Sequence, residues 1–290
     1  MKYVKEINTQ SKLAAVIGSP ISHSLSPFIY NSNFENQNLN IIYMAFETSE
    51  ADTVKRIESL KNLDVLGINI TMPGKHVALQ CCDQIDQVAN YVKAINMLVK
   101  QNDQWIGYNT DGVGFWNSVK AKNYQIEGSK ITLFGSGSTT RIILAQAVIE
   151  GASDISIIAR NLNRKLEIKK VIERLKADYP QVKINLIDIE DQKIVKQVIN
   201  QADIIVQTTN VGMKPNEQAS LLEDPSWLNA KTLVCDIIYN PRETLIIQQA
   251  KEMQCQTLGG IYMLVHQAAI NYQLMTGLEM DIQKTLSLIP

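Results

Sequence analysis

From Lys130 onward the chain alternates short apolar runs with helical stretches, and this alternation limits the fold more than any other feature of the sequence. KITLFG precedes a helix from about Thr139 to Glu150, DISIIAR precedes a charged helix reaching Tyr179, and VKINLIDI precedes a helix to about Asn200. ADIIVQTT and TLVCDIIY complete the series before another helix. Strands that are apolar on both faces must be covered on both, so strands of this kind separated by helices predict a parallel sheet, a Rossmann-type half.

The turn after the first of these strands, FGSGSTTR, opens the first helix. Gly135 and Gly137 take the first two places of a dinucleotide fingerprint and Thr140 takes the third. The reasons for such residues are a tight bend, a backbone able to approach a pyrophosphate, and a helix N-terminus that favours an anion. At the end of the second strand, where an NAD site commonly offers an acid to the ribose, ARNLNRK carries Arg160 and Arg164 and no acid before Glu167. Arginine forks suit a 2'-phosphate, which favours NADP(H), with NAD(H) admitted. The plainer alternative is two solvated cations at a helix start.

The first 110 residues hold a second α/β unit without a glycine fingerprint, with strands at LAAVIG, NIIYMAFE, LGINIT and AINMLVK. Ile261, Leu264, Val265, Ala268 and Tyr272 recur at helical spacing up to a C-terminal cap at Gly277. The expected organisation is an N-terminal α/β substrate-binding and catalytic domain over 1–112 and a Rossmann dinucleotide domain over 113–260. Helices over 261–290 return to the first domain, and a short hinge lies near Gly112 to Gly114.

With 290 residues, 45% of them hydrophobic, the chain can fill real cores, and its net charge of −1 argues against a nucleic-acid or membrane-surface binder and for a small-molecule ligand. A polar start and no run of about 18 apolar residues predict a soluble, cytoplasmic protein. Cys81, Cys82, Cys235 and Cys255 show no metal or disulfide pattern and read as buried thiols. His23, His76 and His266 lie in separate stretches without metal-ligand spacing, so no metal is expected.

Three stretches of the first unit end in polar residues that a core does not need. GSPISHSLSP places Ser22, Ser24 and Ser26 before a helix marked by Pro27, a cradle for a carboxylate or, with equal weight, an ordinary N-cap at Ser26. NITMPGKH brings Asn69, Thr71 and Lys75, and GYNTDGVG brings Asn109, Thr110 and Asp111, to the carboxyl ends of strands, where ligands of open α/β sheets bind. Lys75 and Asp111 can form a dyad in which the lysine gives a proton to a developing alkoxide and takes it back in reverse. The bland alternative is a surface ion pair worth under about 1 kcal/mol. The stretches around Met213 and Met263 read by default as core packing.

Taken in order, PISHSLSP, NITMPGK, AIN, GYNTDGVG, FGSGSTTR, VGMKP, CDIIYNP and MLVHQAA resemble the shikimate dehydrogenase family over nearly the whole chain, and most closely its quinate/shikimate branch. The resemblance implies reversible hydride transfer between NAD(P) and C3 of shikimate or quinate. It implies Lys75 as acid/base and Asp111 as its partner, with Ser24, Ser26 and Tyr239 on the substrate carboxylate and Thr71, Asn96 and Gln267 on ring hydroxyls. It assigns Gly135, Ser136, Gly137, Ser138, Thr139, Arg160, Arg164, Thr208, Met213, Gly260 and Met263 to the cofactor, and it admits a homodimer.

The chain departs from the family pattern at four places. Ser138, Thr139 and Thr140 crowd the phosphate turn while adding hydroxyl donors, and Ala159 removes an adenosine contact. Met97 removes a hydroxyl near the substrate. Tyr262 stands where the family has glycine, beside the expected nicotinamide, where its ring can block, stack or swing away. These departures keep two alternatives in play: a dehydrogenase for another hydroxylated cyclic acid, and a cofactor-impaired regulatory protein that binds shikimate or quinate.

Overall fold

The structure, a computed structural model, describes residues 7–162 and 165–289. The chain forms two compact units, one from the residues up to Thr110 together with those from Val265 on, the other from Asp111–Leu264.

The first unit contains β1 (Lys12–Gly18), α1 (Ser26–Asn36), β2 (Ile41–Glu47), α2 (Thr53–Lys61), β3 (Gly67–Ile70), β4 (Gln84–Ile85), α3 (Gln87–Val92), β5 (Met97–Gln101) and β6 (Gln104–Tyr108). Its sheet runs β2-β1-β3-β5-β6-β4 and is mixed, with β5 antiparallel to both neighbours. The β5–β6 hairpin turns on Asn102 and Asp103, both at positive φ (47° and 60°), the backbone of a two-residue loop that matches the strand twist. Between β1 and β3 the chain order reverses: β1 sends its crossover through α1 to β2 on one side while β3 joins it on the other. The carboxyl ends of β1 and β3 are therefore adjacent, and because β5 runs opposite, its amino end lies at the same edge, as does the carboxyl end of β6. That geometry is where an open α/β sheet places a ligand.

The second unit begins within α4 (Thr110–Lys120) and continues with β7 (Lys130–Phe134), α5 (Ser138–Ile149), β8 (Asp154–Ala159), α6 (Leu166–Asp178), β9 (Lys183–Asp188), α7 (Gln192–Gln201), β10 (Ile204–Gln207), β11 (Leu233–Asp236), α8 (Leu245–Glu252) and β12 (Gln256–Leu258). The order β12-β11-β10-β7-β8-β9 is parallel at every pairing, as the apolar strands require. Its switch point lies between β7 and β10, so the glycine turn after β7 neighbours the loop after β10. Core residues such as Phe134, Ile158, Ile205 and Val234 fill one face of this sheet.

The last helices are α9 (Gly260–Thr276), closed by Gly277 at φ 74°, and α10 (Ile282–Leu288). Within the first unit, Tyr43 of β2 stacks on Tyr30 of α1 at 4.3 Å, Phe34 of α1 on Tyr272 of α9 at 5.3 Å, and Asn33 donates to Thr285 of α10 at 3.0 Å.

Two expectations need correction. The hinge expected near Gly112 to Gly114 falls beside the unit boundary at Thr110–Asp111 but inside α4 rather than in a loop, and a Cβ on Gly112 would sit 2.9 Å from Cβ of Gln146 and 3.0 Å from the Ile142 carbonyl of α5. Gly112 is there so that two helices can approach closely. Of the four thiols, which are all free, Cys82 is only half-buried. Among the described residues no helix is long and apolar enough to cross a membrane.

Candidate functional site

At the glycine turn of the second unit, Gly135 has φ 119° and a Cβ there would meet Thr208 Oγ1 at 2.8 Å and Thr209 Cγ2 at 2.9 Å. The backbone can make this bend beside the next loop only with glycine. The hydroxyls behind it form a directed chain. The Gly137 N–H donates to Thr140 Oγ1 at 3.1 Å, Thr140 and Thr208 share a bond of 2.7 Å, and Thr208 donates to the Phe134 carbonyl at 2.6 Å. Thr208 has one proton, already given to Phe134, so Thr140 is the donor of the shared bond.

This corrects the expectation that both threonines offer hydroxyls to a phosphate: Thr140 is fully buried and spends its hydroxyl inside the turn. Ser138 is exposed, and Ser136 and Thr139 are half-buried, at the open N-terminus of α5, whose first turn carries no acid. A cradle that any Cβ would fill, beside an uncrowded helix N-terminus, fits the pyrophosphate of a dinucleotide.

Arg160 is exposed at the end of β8, and Arg164 lies outside the described residues. The sequence reading gave no role to Arg141, the last residue of the turn motif. Its Nε donates back to the Gly137 carbonyl at 3.4 Å and its guanidinium stands 3.8 Å from Glu167, placing a half-buried cation across the turn. Met213 is exposed in the turn after β10, and the Gly260 N–H donates to the Ile238 carbonyl at 3.1 Å where α9 begins, with Met263 half-buried one turn on. Tyr239 is exposed beyond β11. Asp236 holds the start of that loop, accepting from Ile238 N–H at 2.9 Å and from the Thr244 hydroxyl at 2.5 Å, and burial pushes its carboxyl up to about 6. The Tyr262 ring lies 5.3 Å from Lys122 Nζ, a cation–π contact within the second unit.

In the first unit the strand ends gather the predicted polar residues. Ser24 and Ser26 follow β1, but the N-cap of α1 is Leu25, which has no side chain to cap with. Ser24 Oγ takes the Ser26 N–H at 3.3 Å, and Ser26 is the first residue inside the helix rather than its cap, so the N-cap alternative is set aside. Tyr43 donates to Asn69 Oδ1 at 2.6 Å, and Asn69 donates to the Asn96 carbonyl at 3.4 Å. Burial holds the Tyr43 phenol well above its usual range, so it stays a neutral donor. Ser22 and His23 are exposed and stand outside this network.

Thr71 and Lys75 follow β3 and are half-buried; the Thr71 N–H donates to the Ile17 carbonyl at 2.9 Å and the Lys75 carbonyl accepts from Ile95 N–H at 2.9 Å, which ties the lysine's turn to the segment bearing Asn96. Asn96 accepts the Thr110 N–H at 2.8 Å, and Asp111 is the next residue of α4. Thr110 donates to Asn271 of α9 at 2.7 Å, and Asn271 donates to Gln267 Oε1 at 3.0 Å. Asn109 is buried and structural, its amide donating to the Ala94 carbonyl at 2.9 Å. Met97, the first residue of β5, is fully buried and lies against Gly67.

Sequence reasoning missed Tyr43 and Asn271. The signal for Asn271 was a fully buried amide four residues after Gln267 on an otherwise apolar helix face. Of the histidines, His76 pairs with Glu50 at 2.8 Å, and burial lowers the pKa of His266, favouring its neutral form. Among the described residues no group of three or more His, Cys, Asp or Glu is placed to hold a metal.

Residues 16–98 match the family model described as the shikimate dehydrogenase substrate binding domain, and residues 260–287 match the shikimate 5'-dehydrogenase C-terminal domain. The chain is 35% identical to the shikimate dehydrogenase (NADP(+)) of Alkaliphilus oremlandii, across 99% of both chains. It superposes at TM-score 0.94 and 30% identity on the Listeria monocytogenes shikimate 5-dehydrogenase solved with shikimate and NAD, covering 99% of each chain. A quinate dehydrogenase from Corynebacterium glutamicum, solved with NAD, gives 0.84 at 25% identity, over 96% of this chain and 99% of that one.

Proposed function

The chain belongs to the shikimate dehydrogenase family, and from that premise we propose that it interconverts 3-dehydroshikimate and shikimate with NADP(H) as the preferred cofactor. The observation that carries the reading is the gathering of Ser24, Ser26, Thr71, Lys75 and Asn96 at one edge of the first unit's sheet, where Asn96 is joined to Tyr43 through Asn69 and to Gln267 through Thr110 and Asn271.

In this reading the serine hydroxyls bind the ring carboxylate, with Tyr239 assisting, and Thr71, Asn96 and Gln267 bind ring hydroxyls. Lys75 delivers a proton to the C3 oxygen during reduction and removes it during oxidation, with Asp111 as its carboxylate partner. The cofactor, held by Gly135 to Thr139, Thr208, Met213, Gly260 and Met263, supplies or accepts the hydride at C3. Arg160 and Arg164 favour a 2'-phosphate over a bare ribose. Four free cysteines suit a reducing, cytoplasmic setting. Size-exclusion chromatography tests the homodimer.

The test is absorbance of reduced nicotinamide with shikimate or quinate and NADP⁺ or NAD⁺. Shikimate with NADP⁺ is expected to turn over fastest, and Lys75→Ala to lower kcat by about 10²- to 10⁴-fold, the range for a general acid/base. A folded protein silent with all four mixtures refutes the reading and favours another hydroxylated cyclic acid or a binding role.

A further inference from the structure

We propose that Asn271 is a positioning residue that sets which end of the Gln267 amide faces the ring substrate. The inference rests on the shikimate reading above and goes beyond it in giving Asn271, there only a link between side chains, a bearing on how the substrate is held.

One hydrogen-bonded chain, all of it within the first unit, has a proton supply that can be followed bond by bond. The chain begins at the backbone N–H of Thr110, a group that donates and never accepts. It lies 2.8 Å from Asn96 Oδ1, which fixes the Asn96 amide and leaves Asn96 Nδ2 to donate to Thr110 Oγ1 at 3.0 Å. The single Thr110 hydroxyl proton then has two acceptors in reach, Asn271 Oδ1 at 2.7 Å and Asn96 Oδ1 at 3.1 Å. It goes to Asn271, because 2.7 Å is the usual length of an O–H···O bond and short for N–H···O, which places Oδ1 rather than Nδ2 of Asn271 toward the hydroxyl. Asn271 is thereby fixed with Oδ1 toward Thr110 and Nδ2 toward Gln267 Oε1, 3.0 Å away. Gln267 must turn its Nε2 end away from Asn271.

Every member of the chain is buried, Asn271 completely, so water cannot replace a missing partner and the polarity is inherited from one member to the next. A glutamine presented by its Nε2 end offers hydrogens to oxygen lone pairs. Presented by Oε1, it accepts only from a hydroxyl. Asn271 thus joins two side chains assigned to ring oxygens, Asn96 through Thr110 and Gln267 directly, and sets the second as a donor. Aspartate at 271 would accept from Thr110 and accept again from Gln267, reversing the glutamine.

The experiment measures shikimate binding by calorimetry, together with KM and kcat, for wild type, N271A, Q267A, the double variant and N271D. N271A is expected to weaken shikimate binding and raise its KM about tenfold, the scale of one hydrogen bond lost at a buried site, with KM for NADP⁺ unchanged. N271D is expected to weaken shikimate at least as much. In the Q267A background, N271A is expected to add less than twofold, because its effect passes through the glutamine. Unchanged shikimate affinity in folded N271A overturns the inference, as does a full tenfold addition in the Q267A background. If the buried charge of N271D prevents folding, the alanine cycle decides alone. Wild-type protein that neither binds nor oxidises shikimate overturns the functional reading, and this inference with it, before any variant is compared.

Discussion

Gly135 shows how one backbone position can carry a binding site. Its φ of 119° is a conformation side chains rarely adopt, and a Cβ there would press on Thr208 and Thr209. Gly135→Ala is therefore expected to cost about 1–3 kcal/mol in urea unfolding and to raise KM for NADP⁺ more than KM for shikimate. Equal effects on the two would refute the assignment of this turn to the cofactor. The glycine was readable because its reason is local. Thr140 was not, because the partner that consumes its hydroxyl lies 68 residues away on another strand's loop. The same holds for Tyr262, whose ring finds Lys122, a residue that only the folded second unit brings near.

Among the elements, α4 gives the sharpest test, because local and tertiary rules predict opposite signs for one substitution. Helix propensity alone makes Gly112→Ala stabilising by up to about 1 kcal/mol. The packing of α4 on α5 places the new methyl 2.9 Å from Gln146 Cβ and 3.0 Å from a backbone carbonyl, which must shift, so the expected outcome is destabilisation by about 1–3 kcal/mol. A gain in stability on urea titration would mean that α4 and α5 accommodate the methyl and that helix propensity decides. The long apolar strands of the second unit were legible because a two-sided burden of apolar residues has few solutions. The two residues of β4 carry no period to read, and the Asn102–Asp103 hairpin was missed although its sequence suits positive φ. Site residues were legible where strand ends are rich in hydroxyls and amides; Tyr43 was hidden because an aromatic in a strand looks like core, which, apart from its hydroxyl, it is.

For the molecule as a whole, two carboxyls, Asp236 buried and Asp86 half-buried, make a pH signature whose sign is opposite to the usual one for carboxylates. Asp86 caps α3 through the Ala89 N–H and also accepts from Asn109, while Asp236 holds the loop after β11, so each unit contains one. Burial is the largest influence on both and pushes each up to about 6 from 3.8, against the opposing pull of their hydrogen bonds. Between those two values the folded state binds protons that the unfolded chain has already released, so stability falls as pH rises through the window and is level above it. The loss is at most about 3 kcal/mol per group, from a shift of about two units. Glu167 and Asp224, held below their ordinary values by Lys170 and Ser226, act in the other direction, losing stability as pH falls, and both are exposed. The difference between variants isolates this pair. Asp86→Asn and Asp236→Asn each replace one acceptor oxygen with a donor and remove the titration, so the contribution of the substituted site no longer varies with pH. Melting temperatures from pH 4 to pH 7 are therefore expected to decline less steeply in either variant than in the wild type, and least in the double variant. Parallel curves for all four proteins would mean that neither carboxyl keeps its proton in the folded state beyond the range of an exposed one.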